Sequence, residues 1–159
     1  MDSTHPVGRV ASLHLHPARG GEPLTSVEVI HVVAGKGIVE DERYFDRGSR
    51  RQVTLIEREQ IGAHATTLGV TCFAAGKVRS NIETTGISLV ALLGQRVQVG
   101  ESVLEFYAPR TPCQQMDALC QGLRELMEDS QQGVLAQVVR PGVIRVGDTI
   151  QLAKPEAHA

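Results

Sequence analysis

The fold class of this chain is decided by the stretch Gln95-Arg96-Val97-Gln98-Val99-Gly100-Glu101-Ser102-Val103-Leu104-Glu105-Phe106-Tyr107. Apolar and polar residues alternate on both sides of Gly100-Glu101, and a period of two is typical of strands that bury one face. A short glycine turn between two such runs predicts an antiparallel hairpin. We take this hairpin as the starting point for assigning the neighbouring segments.

Further short strands separated by glycine turns are predicted on both sides of the hairpin. They lie at 8–16, 26–34, 52–56, 79–83, 134–140, 143–146 and 149–152. Helical patterns interrupt them at 57–68, 87–93 and 114–128. Many short strands at even spacing favour a closed sheet over alternating βαβ units. The sequence therefore predicts a mainly β protein with inserted helices, folded as a closed or partly open β-barrel.

Length and charge limit the classes of function. A chain of 159 residues can bury its core as one domain, which we place at residues 8–152, with short tails at 1–7 and 153–159. The net charge of −2 provides no overall basic field for nucleic acid or an anionic membrane. Three cysteines at uneven spacing do not form a disulfide framework, and no apolar run is long enough to span a membrane. We expect a cytoplasmic protein that binds neither nucleic acid nor membranes.

Two histidines lie on the first predicted strand. His14 and His16 are two residues apart, so in a regular strand they share one face. A metal site would need at least one further ligand, and no residue has the spacing to supply it. We therefore expect both side chains to face solvent.

Cys113 is the main candidate for chemistry. Two prolines in Ala108-Pro109-Arg110-Thr111-Pro112 predict a stiff, extended loop before it. Apolar residues after it recur at offsets of three, four and seven, which predicts one helix over 114–128. A thiol at the start of that helix and near Arg110 would favour its thiolate form. Cys113 is then either a nucleophilic, sulfur-carrying or metal-ligating residue, or a small apolar residue that closes the loop against the core.

Cys120 lies seven residues after Cys113, two turns along the predicted helix, so we expect both on the same side of it. A direct disulfide is disfavoured because two helical turns separate the Cα atoms by about 10 Å. The leucines around Cys120 favour a packing role over one in resolving a persulfide.

The segment at 38–51 carries three acids, Glu40-Asp41-Glu42, followed by the four arginines Arg43, Arg47, Arg50 and Arg51. Such a charge run forms either a solvated loop with internal salt bridges or an anion-binding loop. The second alternative follows from the guanidinium group, which matches phosphate or carboxylate with paired hydrogen bonds. Both alternatives remain open at this point.

A series of short motifs runs through the chain in a fixed order. They are Gly8-Arg9-Val10, Gly37-Ile38 with Asp41, Arg43, Tyr44 and Phe45, Arg51-Gln52-Val53-Thr54-Leu55-Ile56, Arg79-Ser80-Asn81-Ile82, Thr85-Gly86-Ile87, Pro112-Cys113, Met116, Gly142 and Ile144-Arg145-Val146-Gly147-Asp148. In order and spacing they resemble the MOSC domain, the C-terminal domain of molybdenum cofactor sulfurase, which also occurs as small standalone bacterial proteins. The resemblance covers residues 8–152.

The resemblance implies a twisted, mostly β barrel similar to the β-barrel of pyruvate kinase. It also implies that Cys113 handles sulfur or ligates molybdenum, and that basic and polar residues hold the pterin-phosphate end of a molybdenum cofactor. The matching candidates are Arg43, Arg51, Arg79, Asn81 and Arg110. Some relatives reduce N-hydroxylated compounds, and the resemblance implies a redox or sulfur-donor protein as a partner of this chain. The alternative is a non-catalytic module that retains the fold and binds an anion or a partner.

Overall fold

The computed structural model describes residues 7–71, 73–111, 115–128 and 132–154. Within them the strands are β1 (Gly8–Leu15), β2 (Thr25–Val27), β3 (Val29–Val33), β4 (Gly37–Ile38), β5 (Val53–Glu57), β6 (Ile82–Thr85), β7 (Arg96–Val99), β8 (Ser102–Pro109), β9 (Val134–Arg140), β10 (Gly142–Arg145) and β11 (Thr149–Leu152). The helices of the same ranges are α1 (Arg58–Leu68), α2 (Gln115–Leu119) and α3 (Leu123–Leu126), and a 3₁₀ turn spans Val90–Leu92. In the described ranges, every helix is too short or too polar to cross a membrane.

Seven strands close into a barrel in the order β11-β7-β8-β9-β5-β6-β1, and β1 pairs back onto β11. Gly8 pairs with Ile150 and Arg9 with Thr149 at this closure. The β5–β6 pair is parallel because α1 lies between the two strands in the chain and carries it back across the sheet. The closed sheet confirms the predicted fold class.

Two smaller additions extend the barrel. The last residues of β1 pair with β2, and β10, β3 and β4 form a separate three-stranded sheet. The predicted run at 26–34 is therefore divided between β2 and β3, which belong to different sheets.

The predicted hairpin supplies the middle of the barrel. β7 and β8 pair in antiparallel register, with Val97 opposite Leu104 and Val99 opposite Ser102. Val97, Val99, Leu104 and Phe106 are fully buried inside the barrel, as the alternation in the sequence predicts. A second apolar cluster joins α1 to α2 and α3, and it contains Ile56, Ile61, Ala65, Phe73, Val78, Met116, Leu123 and Met127.

The single helix predicted over 114–128 is wrong. α2 ends at Leu119 and α3 begins at Leu123, because Gly122 between them has a φ of 93°, which a continuous helix does not allow. The Asp117 carboxylate accepts hydrogen bonds from the backbone N–H of Gly122 (3.2 Å) and of Arg124 (3.1 Å), which stabilises the break. Cys120 lies beyond the end of α2, so the predicted helix does not continue through it. Its half-buried side chain packs against the second apolar cluster, as predicted.

Two glycines of α1 provide a test of backbone conformation. Gly62 lies inside the helix and Gly69 caps its end with a φ of 75°, and beyond the adjoining backbone a methyl group at either position would have open space around it. Gly62→Ala is expected to raise the free energy of unfolding by about 0.5–1 kcal/mol, because alanine loses less backbone entropy. Gly69→Ala is expected to lower it by about 1 kcal/mol, because the left-handed region is unfavourable for a residue with a Cβ.

Urea unfolding of both variants measures these changes in free energy. The two substitutions add the same methyl group to the same helix, so each serves as the control for the other. A change of the same sign in both would contradict the assignment of the helix end.

Candidate functional site

A β-bulge in β1 determines where its histidines lie. The register of β1 against β6 shifts between Val10 and Ser12, and one extra residue exchanges the two faces of a strand. Leu13 therefore enters the core, and His14 lies on the other face, where the residues before β6 cover it. The prediction that His14 and His16 face solvent is wrong, since they are only 0% and 3% exposed.

His14 packs beneath the turn that precedes β6. Its Nδ1 lies 2.9 Å from the carbonyl oxygen of Ser80, so Nδ1 carries the proton and donates it to that oxygen. Gly76 lies against the imidazole ring, and a Cβ there would be 3.2 Å from its Cδ2 atom. The absence of a side chain at Gly76 thus allows the turn to approach the ring.

His16, Asp41, Asn81 and Thr54 form a buried polar cluster. Oδ2 of Asp41 accepts hydrogen bonds from the backbone N–H of His16 (2.9 Å), from its ring Nδ1 (2.9 Å) and from Nδ2 of Asn81 (3.0 Å). Oδ1 of Asn81 accepts a hydrogen bond from the backbone N–H of Thr54 (3.1 Å). The cluster thereby ties the end of β1 to β5, to the residue before β6 and to the loop at 39–52.

The carboxylate of Asp41 is stabilised in its charged form. Burial alone raises the pKa of Asp41, but the hydrogen bonds from the side chain and backbone of His16, with the N–H of Tyr44, outweigh burial and hold this pKa below its ordinary value. The side chain is 1% exposed, so solvent does not substitute for these partners.

Tyr44 connects the buried cluster to the surface. Its backbone N–H donates to Oδ1 of Asp41 (3.0 Å), and its ring meets the imidazole of His16 edge to face, with centroids 4.9 Å apart. The guanidinium carbon of Arg51 lies 4.1 Å from the ring centroid of Tyr44, within cation–π distance. Nε of Arg43 donates to the phenolic oxygen of Tyr44 (3.1 Å). One aromatic side chain therefore orients two arginines.

The arginines of this loop are not neutralised by its acids. Asp41 is occupied in the buried cluster, and Glu40 pairs with His31. Arg47 donates to the backbone carbonyl oxygens of Glu42 and Arg43. No ion pair joins an arginine of the loop to an acid within the ranges that the structure describes.

Three guanidinium groups line one cavity of about 370 Å³. Arg43, Arg51 and Arg110 line it together with Tyr44, Thr111, Leu135 and the glycines at 20 and 21. None of these lining residues carries a carboxylate. Arg110 is 9% exposed, and its Nη1 donates to Oγ of Ser80 (2.9 Å) and to the carbonyl oxygen of Arg79 (3.2 Å). We call this cavity the arginine pocket.

Two other residues predicted for the site lie outside the arginine pocket. Arg79 lines a neighbouring cavity of about 180 Å³ that shares Gly21 with it, and Nη1 of Arg79 donates to the carbonyl oxygen of Glu22 (2.9 Å). The predicted strand at 79–83 begins only at Ile82, because Arg79 has a φ of 65°. Asn81 is 2% exposed and belongs to the buried cluster.

Cys113, the predicted catalytic residue, lies outside the described residues. In the sequence it follows Thr111, which lines the arginine pocket, by two positions. Within the described ranges, no three His, Cys, Asp or Glu side chains form a group that could hold a metal ion.

Three residues of the site were missed as functional candidates from the sequence. Asp41 is the middle residue of three consecutive acids, so its charge does not distinguish it, and His16 is buried by a contact with a residue 25 positions away. Tyr44 is adjacent to Arg43, and an aromatic residue among arginines is the signal that could have identified it.

Comparisons with known proteins agree on the fold. A family model of the MOSC domain matches residues 40–151. The YuaD protein from Bacillus subtilis is 19% identical with a TM-score of 0.78, over 93% of this chain and 96% of that one. YiiM from Geobacillus stearothermophilus is 18% identical with a TM-score of 0.74, over 92% of this chain and 75% of that one. YiiM from Escherichia coli is 18% identical with a TM-score of 0.68, over 98% of this chain and 72% of that one.

A search among curated proteins gave no match. At identities below one fifth, the solved structures show a shared fold.

Proposed function

The chain belongs to the MOSC domain family, and from that premise we propose that it binds a molybdenum cofactor, with the phosphate end of the pterin in the arginine pocket. The observation that carries the proposal is the convergence of Arg43, Arg51 and Arg110 on one cavity whose described lining residues include no carboxylate. Guanidinium groups form paired, charge-assisted hydrogen bonds with phosphate oxygens. The volume of about 370 Å³ is within the range of small-molecule sites.

The arginines of the pocket suit an anionic group because they are positively charged and because neighbouring residues hold two of them in place. Arg110 is held by Ser80, and Arg51 by the ring of Tyr44, so these two cations are oriented before a ligand arrives. Preorganised side chains lose less entropy when they bind. Asn81 and Asp41 act behind the pocket by positioning the loop, whereas Arg79 borders it from the neighbouring cavity.

In this proposal Cys113 ligates the metal or carries sulfur as a persulfide, because a soft thiolate suits both roles. When bound, the cofactor would supply the redox chemistry by which some members of the family reduce N-hydroxylated compounds. Such a reaction would need electrons from a redox partner, and sulfur transfer would need a sulfur donor.

Metal and pterin analysis of protein from a molybdenum-replete host tests the proposal. We expect near-equimolar molybdenum and pterin in the wild type and less than half of both in Arg51→Gln, because one of three phosphate contacts is lost. Arg124→Gln is the matched control, since Arg124 is an exposed arginine of α3 that does not line the pocket. A wild-type protein that carries neither metal nor pterin would overturn the proposal.

A non-catalytic anion-binding module is the alternative. The observation that favours it is that Arg43, Arg51 and Arg110 line the pocket together, so that the anion site of this alternative needs no group from residues 112–114. Cys113→Ser distinguishes the two functions. Loss of molybdenum or of bound sulfur in this variant supports the cofactor protein, and unchanged ligand content supports the module.

A further inference from the structure

A second cavity of about 700 Å³ lies along the outside of the β7-β8-β9 ribbon and beside residues 152–154. Leu135 lines the arginine pocket and Val139 lines this cavity. Because the two residues are four apart on β9, the two sites are separated by about 13 Å along the strand. We call it the ribbon cavity, and it is distinct from the site of the proposed function.

Among the described residues, three cations and one carboxylate line the ribbon cavity, namely Arg96, Arg140, Lys154 and Glu105. Glu105 accepts a hydrogen bond from Nε2 of Gln137 (2.8 Å). Arg96 is the cross-strand partner of Glu105, yet no ion pair joins them. The lining therefore has an excess of two positive charges, although the whole chain has a net charge of −2.

Arg96 and Arg140 differ from most other arginines of the protein in the contacts of their guanidinium groups. In the part of the chain that the structure describes, the guanidinium groups without a hydrogen bond, ion pair or aromatic contact belong to Arg19, Arg96, Arg124 and Arg140. Two of the four line the same cavity. Elsewhere, as in the pairs of Arg58 with Glu83 and of Arg145 with Glu101, the protein supplies the partner itself.

The strand register allows Arg96 and Arg140 to converge. Arg96 is opposite Glu105 and Arg140 is opposite Val103, so one strand and two residues separate them. This arrangement places their Cα atoms about 12 Å apart, within the combined reach of two arginine side chains. Both can therefore contact one anion lying over β8, with Lys154 contributing from beyond β11.

The uncharged residues that line the cavity indicate which kind of molecule could carry the anionic group. Val103, Val139 and Leu152 offer apolar surface, and Gln95 and Gln98 offer amides at the edge. An apolar floor beneath convergent cations suits a molecule with an uncharged body and a phosphate group. We propose that the ribbon cavity binds an organic phosphate, with Arg96, Arg140 and Lys154 on the phosphate and the body against the apolar floor.

Titration with phenyl phosphate, followed by backbone amide NMR of the full chain, tests this site. We expect saturable shifts at Gly94, Gln98, Val139 and Ala153, and an affinity at least ten-fold lower in Arg96→Gln and in Arg140→Gln. Inorganic phosphate is expected to bind more weakly at the same amides because it lacks the apolar body.

Two control variants separate this site from other effects. Arg124→Gln removes an exposed arginine outside the cavity, and Arg51→Gln removes one from the arginine pocket; both should leave the titration of these amides unchanged. The proposal is overturned if the amides show no saturable shift, if Arg96→Gln and Arg140→Gln bind as tightly as the wild type, or if Arg124→Gln weakens binding equally. Failure of the arginine pocket to bind a cofactor does not affect these outcomes.

Discussion

Asp41→Asn is expected to lower the free energy of unfolding by about 3–5 kcal/mol at neutral pH, because the change removes a buried charge and leaves buried N–H donors without their acceptor. The carboxylate is 1% exposed and accepts four hydrogen bonds, three at Oδ2 and one at Oδ1. An asparagine can offer an oxygen at only one of these positions, so its amide group would meet another N–H. The buried side chain of His16 would also lose its charged partner.

The adjacent residue provides the control for this prediction. Glu40→Gln also removes a carboxylate that contacts a histidine ring, but His31 and Glu40 are 54% and 34% exposed. Exposed pairs of this kind contribute at most about 1 kcal/mol. Urea unfolding of the two variants measures the difference, and an equal loss in both would contradict the role of burial.

The pH dependence of the Asp41 variant follows from the direction of the pKa shift. The pKa of Asp41 is lower in the folded than in the unfolded chain, so its contribution to stability is fully present above the unfolded value of about 3.9. This contribution is lost as the pH falls through the folded pKa. The difference between wild type and Asp41→Asn should therefore be present at pH 6 and shrink below about pH 4, which unfolding at both values measures.

The barrel was predictable because its signals are local. Alternation in residues 95–107 fixes which side chains of β7 and β8 enter the core, and the glycine after Val99 fixes the turn. The C-terminal strands β9, β10 and β11 follow from the same pattern, each within about one residue of its predicted bounds. In these segments the hydrophobic period and the turn residues indicate the same structure.

The errors arise where a distant segment or a single residue changes the surroundings of an element. His14 and His16 lie on the face opposite Leu13, but the turn before β6 and the loop at 39–52 cover that face, so a correct strand prediction gave the wrong environment for both. Gly122 divides a pattern that is continuous in its apolar residues, because its positive φ is stabilised by Asp117 and not by hydrophobic spacing. The covering segments lie far from β1 in the sequence, and one glycine does not change the apolar spacing around it, so periodicity reveals neither.

Of the candidate site, the sequence allowed the charged residues to be predicted but not the contacts that hold them in place. Arg43, Arg51 and Arg110 were selected by residue type and by the family resemblance, and they meet at one cavity. Their support comes from contacts between distant segments, such as His16 with Asp41 and Asn81 with Thr54. Pairings across 25 and 27 residues depend on the closed sheet and leave no local pattern.

Tyr44→Leu is expected to weaken binding of inorganic pyrophosphate to the arginine pocket about 30-fold, because two arginines lose their orientation at once. The ring lies 4.1 Å from the guanidinium carbon of Arg51, and the phenolic oxygen accepts a hydrogen bond from Arg43. Without Tyr44 both side chains must be immobilised when the anion binds, at a combined cost of about 2 kcal/mol. Amide shifts at Gly20 and Gly21 during titration report this affinity at the pocket itself.

Two further variants separate orientation from loss of packing. Tyr44→Phe keeps the ring under Arg51 and loses one hydrogen bond, so affinity should fall only about three-fold. Tyr107→Leu removes an equivalent ring, 4.1 Å from the guanidinium carbon of Arg50, which does not line the pocket, and should leave affinity unchanged. Equal losses in Tyr44→Leu and Tyr107→Leu would mean that general loosening of the surface, and not the placement of Arg43 and Arg51, weakens the anion site.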